Sequence, residues 1–167
     1  MKPSKYEFAI ALTLFSLLFS TAQASTISGL PDVKKTPGAL NPLVTPATIG
    51  TTICVIGYTK TIRPPSNYTS ALKRRQLNSG YNYQGDLAMS DYEEDHLVPL
   101  TIGGSPRSVL NLWPQPRNIL RGAGAKDRLE NKMHLMICSG MISLKSAQHI
   151  FMTNWVAGYE KYIGKLA

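Results

Sequence analysis

The chain predicts an α+β fold, a short β-hairpin followed by two helices, on three observations. Asp95 to Gln115 holds two apolar stretches, Leu97-Val98-Pro99-Leu100 and Leu112-Trp113-Pro114, joined through Gly103-Gly104 and Pro106, which reads as a hairpin with a turn-rich connection. Ala125, Leu129, Met133 and Met136 fall on one face at about 100° per residue, predicting a helix over Ala125 to Cys138 that stops at Ser139-Gly140. Leu144, Ala147, Phe151, Trp155 and Tyr159 recur at helical spacing behind Ser143, a residue suited to cap a last helix whose aromatic side chains belong to the core.

The remaining elements follow from the N-terminus. Met1-Lys2-Pro3-Ser4-Lys5, an uncharged run from Phe8 to Phe19, and Thr21-Ala22-Gln23-Ala24 have the three parts of a secretory signal peptide, with cleavage expected after Ala24. The apolar run is shorter than the roughly 20 residues that span a bilayer, so removal is expected rather than anchoring. The expected product is a secreted or periplasmic chain with no stable membrane association, monomeric, starting at Ser25. Residues 25–50 carry Pro31, Pro37, Pro42 and Pro46, and predict an irregular leader outside the core. Residues 51–167 make one domain. In it, β-branched residues from Thr51 to Arg63 predict a strand ended by Pro64-Pro65. Asn67 or Thr69 can cap a short helix through Leu72 to Leu77 closed by Gly80, and Tyr81 to Asp91 reads as a polar, aromatic loop.

The formal charge of +8 falls to +7 when Lys2, Lys5 and Glu7 leave with the signal peptide. So basic a secreted domain suits a polyanion such as nucleic acid, anionic lipid or a cell-wall polymer; charge kept only for solubility is the competing reading. Lys60, Arg63, Lys73, Arg74, Arg75, Arg117, Arg121 and Arg128 surround the hairpin and the first predicted helix in sequence. Contacts from such residues to phosphates would hold a backbone without reading bases. Cys54 and Cys138 are the only cysteines, and in an oxidising compartment they predict one disulfide rather than a zinc site.

Asp95-His96-Leu97-Val98-Pro99-Leu100, Gly103-Gly104 and Asn111-Leu112 also resemble, in order and spacing, elements of the HNH nuclease superfamily. The likeness covers about residues 94–131. It implies a ββα-metal core, a hairpin with a helix across it, flanked here by an N-terminal strand and helix and a C-terminal helix. It further implies metal-dependent hydrolysis of DNA, or RNA, with His96 as general base and Asp95 as ligand of one divalent ion, Mg²⁺ first and Mn²⁺ or Zn²⁺ as alternatives. Asn111 is implied to brace the loop and orient His96. The family's usual His or Asn ligand at the helix start is missing, so the second ligand is open: Glu130 is the first choice, ahead of Asn118, Asn131 and His134. Glu130 has a plainer reading, an i,i±4 pair with Lys126 or His134. Lys126 is a candidate fixed charge beside the scissile phosphate. A noncatalytic polyanion-binding protein on the same scaffold is the rival reading; a metallopeptidase is disfavoured because no His-Glu-x-x-His motif occurs.

Overall fold

The computed structural model describes residues 29–166, so the expected signal peptide lies outside the described residues. In chain order the elements are helix α1 (Tyr58–Ile62), helix α2 (Ser66–Asn78), strand β1 (Tyr92–His96), strand β2 (Leu112–Pro116), helix α3 (Ala123–Cys138) and helix α4 (Leu144–Tyr162). The α+β expectation stands. Strands β1 and β2 pair antiparallel, with Asp95 opposite Trp113 and His96 opposite Leu112. No helix among the described residues is long and apolar enough to cross a membrane.

Alternation along β1 decides what each face of the hairpin meets. Side chains two apart share a face, so Tyr92, Glu94 and His96 lie on one side and Glu93 and Asp95 on the other. Trp113, opposite Asp95, joins Leu129 and Met133 of α3 and Phe151 and Trp155 of α4 in the main core. Burying each such side chain contributes roughly 1.5 to 3 kcal/mol before entropy is set against it. Helix α2 packs on the hairpin and is pinned by polar bonds: Gln76 Nε2 donates to the Leu112 carbonyl at 2.8 Å, and Lys73 Nζ to the carbonyls of Met89 at 2.7 Å and Tyr92 at 2.9 Å.

Helices α3 and α4 form the second layer. Ser143 caps α4 as expected, its hydroxyl accepting from the Ser146 N–H at 3.1 Å. The helix kinks at Asn154, whose backbone is extended and whose Oδ1 accepts from the Ala157 N–H at 3.0 Å, capping the second half afresh. A Cβ at Gly158 would overlap the Ile150 side chain from the far side of the kink and press on Leu129 of α3, so the missing side chain makes room for the kink and for the neighbouring helix.

Four expectations are corrected. The hairpin's first strand is not the apolar stretch Leu97 to Leu100, which lies beyond β1 in bends and a 3₁₀ turn, but the polar Tyr92–His96 ahead of it. Thr51 to Arg63 is no strand: it is 3₁₀ turn, bend and the short α1, with Gly57 at φ 86° between them. The hydroxyls of Thr51, Thr52 and Thr61 donate to carbonyls three or four residues back, a local alternative to pairing in a sheet. Neither Asn67 nor Thr69 caps α2, which begins at Ser66 after Pro65; both lie within it. Residues 29–50 are irregular, as expected, yet they are not outside the core. Val44 is buried in it, Trp155 Nε1 donates to the Gly29 carbonyl at 3.1 Å, and Leu40 forms a bridge with Gly104 of the hairpin connection. The loop before β1 also contributes: Tyr81 is buried against Trp113, with ring centroids 6.2 Å apart.

Cys54 and Cys138 form the expected disulfide. It ties the end of α3 to a turn rather than to a strand, closing a loop 84 residues long. Replacing both cysteines by alanine should cost about 4 to 5 kcal/mol on the chain-entropy account. Urea unfolding of the variant would measure it; a loss under about 1 kcal/mol would show that the unfolded chain is already constrained there.

Candidate active site

His96 ends β1 and is 5 % exposed, with its ring at the edge of a cleft. Its Nε2 lies 3.0 Å from the Pro106 carbonyl. A carbonyl only accepts, so Nε2 carries the proton and Nδ1 holds the lone pair. Burial lowers the pKa of His96 below its ordinary 6.5, the Pro106 bond and Asp95 pulling the other way and Lys126 and Arg63 adding to the lowering. The imidazole is therefore neutral at neutral pH, which a general base requires.

Asn111 holds the connection that carries Pro106. Completely buried, it closes a two-way bond with Val98: Oδ1 accepts from the Val98 N–H at 2.9 Å and Nδ2 donates to the Val98 carbonyl at 3.0 Å. Nδ2 also donates to the Ser105 carbonyl at 3.0 Å, and the Leu97 N–H to the Asn111 carbonyl at 2.7 Å. The Gly-Gly pair makes room for this. Gly103 sits at φ 80°, and a Cβ at Gly104 would fall on the Val98 carbonyl and within 2.9 Å of Asn111 Nδ2. Asn111 thus braces the segment that anchors the His96 ring, without touching the ring.

The cleft, about 350 Å³, is lined by His96, Glu93 and Glu94 of β1, by Arg63, by Ser66, Thr69, Ser70 and Lys73 of α2, and by Arg117 after β2. Arg117 pairs with Glu93 at 3.3 Å. Glu94 has both carboxylate oxygens out of solvent with no hydrogen-bond partner, and burial raises its pKa to about 8 against the opposing pull of Lys73. It is protonated at neutral pH. So one cleft holds a neutral base and a neutral acid on the same face of one strand, opposite a set of cations.

Several expected site residues stand elsewhere. Lys126 cannot meet a substrate phosphate, because its side chain is 0 % exposed. Its ammonium lies 2.7 Å from Asp95 Oδ2, an ion pair rather than a well-angled hydrogen bond, and donates to the His96 carbonyl at 2.7 Å. Glu130 accepts from the Thr101 hydroxyl at 2.6 Å, and burial raises its pKa. His134 Nε2 is 2.8 Å from the Ile53 carbonyl, while Asn118 and Asn131 are exposed. Of the basic residues, Arg63, Lys73 and Arg117 line the cleft, whereas Lys60, Arg74, Arg75, Arg121 and Arg128 do not. Arg128 instead lies over the Tyr159 ring and donates to its hydroxyl at 3.0 Å. Glu94 went unread in the sequence; starting β1 at Tyr92 rather than Asp95 would have shown it sharing the His96 face.

The divalent ion implied by the resemblance does not fit these donors. Asp95 already has an ammonium against it, and Glu130 is taken up by the Thr101 hydroxyl. Among the described residues no three His, Cys, Asp or Glu side chains converge to hold a metal. No family model matches the chain, and no curated protein or solved structure matches it either.

Replacing Asn111 by alanine would leave the Val98 N–H, the Val98 carbonyl and the Ser105 carbonyl buried without their partners. The expected cost is on the order of 3 kcal/mol or more. Hydrogen exchange should quicken first at Val98; protection unchanged there would remove the bracing role.

Proposed function

We propose that the protein is a phosphodiesterase that hydrolyses nucleic-acid backbones, DNA or RNA, with low sequence specificity, and that β1, β2 and α3 are an HNH-type ββα unit. What supports the reading most is His96, neutral and ring-anchored, in a cleft walled by Arg63, Lys73 and Arg117. In the step that follows, a water oxygen bonds to phosphorus while His96 Nδ1 takes its proton, and the bond to the leaving oxygen breaks as Glu94 supplies a proton to it. The pKa values of the two groups are pushed apart in the directions these roles need. Arg63 and Arg117 would neutralise the phosphate oxygens, and cations that meet phosphates carry no base information, hence the low specificity. A disulfide and a leader with the features of a signal peptide support an extracytoplasmic site of action.

His96→Ala should abolish cleavage of plasmid DNA or total RNA while gel retardation persists; full turnover by this variant would sink the reading. Because the folded pKa of His96 lies below 6.5, the neutral base persists as pH falls through 6.5, and the acid limb of kcat/KM should fall below that value. An acid limb at or above 6.5 would mean that another group is the base. Arg63→Ala with Arg117→Ala should flatten the slope of log affinity against log salt by about two, each phosphate contact being worth about 0.9. Arg74→Ala with Arg75→Ala should change it less.

A further inference from the structure

The place where the resemblance implies a divalent ion, between hairpin and helix at Asp95, is taken up by a side chain of the protein. Lys126 enters from the first turn of α3 with none of its side chain exposed, and its ammonium meets Asp95 and the His96 carbonyl, each at 2.7 Å. The Phe151 ring covers it at 5.5 Å. Glu130, the other expected ligand, is held by Thr101. A divalent ion on Asp95 would sit within about 2.0 to 2.6 Å of a carboxylate oxygen. It would therefore lie a few ångströms from a fixed charge of its own sign, in a buried setting where solvent screens little.

We propose that Lys126 is the resident cation of this site, so that the gap between β1 and α3 takes no divalent ion and hydrolysis at His96 proceeds without one. Lys126 and Asp95 are then positioning residues: the ammonium balances the buried carboxylate and fixes the carbonyl of the residue that carries the base. Charge on the leaving oxygen is met in the cleft, by the proton of Glu94 and by Arg63 and Arg117. The cleavage half of this inference rests on the proposed function; the metal-binding half does not.

Two measurements on the purified chain with its disulfide intact test it. Mn²⁺ is titrated in and followed by its paramagnetic resonance signal, with wild type beside the near-isosteric Asp95→Asn. Plasmid DNA, RNA and bis(p-nitrophenyl) phosphate are incubated with Mg²⁺ or with chelator. We expect no Mn²⁺ binding below the millimolar range, no difference between the two proteins in that titration, and cleavage in chelator within about two-fold of that in Mg²⁺. Micromolar Mn²⁺ binding that Asp95→Asn removes would overturn the inference, as would cleavage that chelator stops and Mg²⁺ restores. If no substrate is cleaved in any condition, the proposed function falls, and the Mn²⁺ titration still decides what occupies the site.

Discussion

A fully buried ammonium needs compensation from whatever surrounds it, and in this protein that requirement fixes how the helical layer meets the hairpin. Lys126 stands in the first turn of α3, and the only way to bury its charge is to bring Asp95 and the end of β1 against it. The pair need not add to net stability, because removing two charges from water can cost more than their attraction returns. Its effect is on register. If β1 slipped by one residue against α3, its side chains would exchange faces, so that Asp95 would leave the ammonium and His96 would leave the cleft.

The second constraint acts from the other end of the same turn. His96 is held through its carbonyl by Lys126 and through its ring by Pro106, and Pro106 sits in a connection that Asn111 closes. A backbone carbonyl and two buried side chains, Lys126 and Asn111, supply these holds. The irregular N-terminal segment adds to this: the Asn41 N–H donates to the Gly103 carbonyl at 2.9 Å and the Ser105 N–H to the Ala39 carbonyl at 2.8 Å, covering an edge that would otherwise be open.

What was legible in the sequence was what local chemistry decides. The α3 and α4 stripes, the Ser143 cap, the Gly-Gly turn and the cysteine pair each carry their own signal, and all are in the structure. What was not legible depends on partners distant in the chain. Thr51 to Arg63 has strand composition but no strand to pair with, and its threonine hydroxyls take the backbone instead. Proline spacing in residues 29–50 correctly signals irregular backbone, and cannot signal that the segment lies on Gly103 and Trp155. At the site, Asp95, His96 and Asn111 were picked out by type and order. The partner of Asp95 was not, because an Asp-Lys pair 31 positions apart looks like any other pair of surface charges.

Alternation along five residues of β1 then separates two electrostatic settings that a linear reading merges. On the Asp95 side the carboxylates of Glu93, Asp95 and Asp127 act on one another, and burial raises the pKa values of Glu93 and Asp127 despite Lys126. On the His96 side the wall opposite is cationic, yet Glu94 holds its proton, because burial outweighs the attraction of Lys73. Glu93 reaches the rim of that cleft too, where it pairs with Arg117. The two adjacent residues of the Asp-His pair, so close in sequence, therefore lie on opposite faces: Asp95 pairs with the buried Lys126 ammonium, and His96 lies at the cleft with its ring bonded to the Pro106 carbonyl.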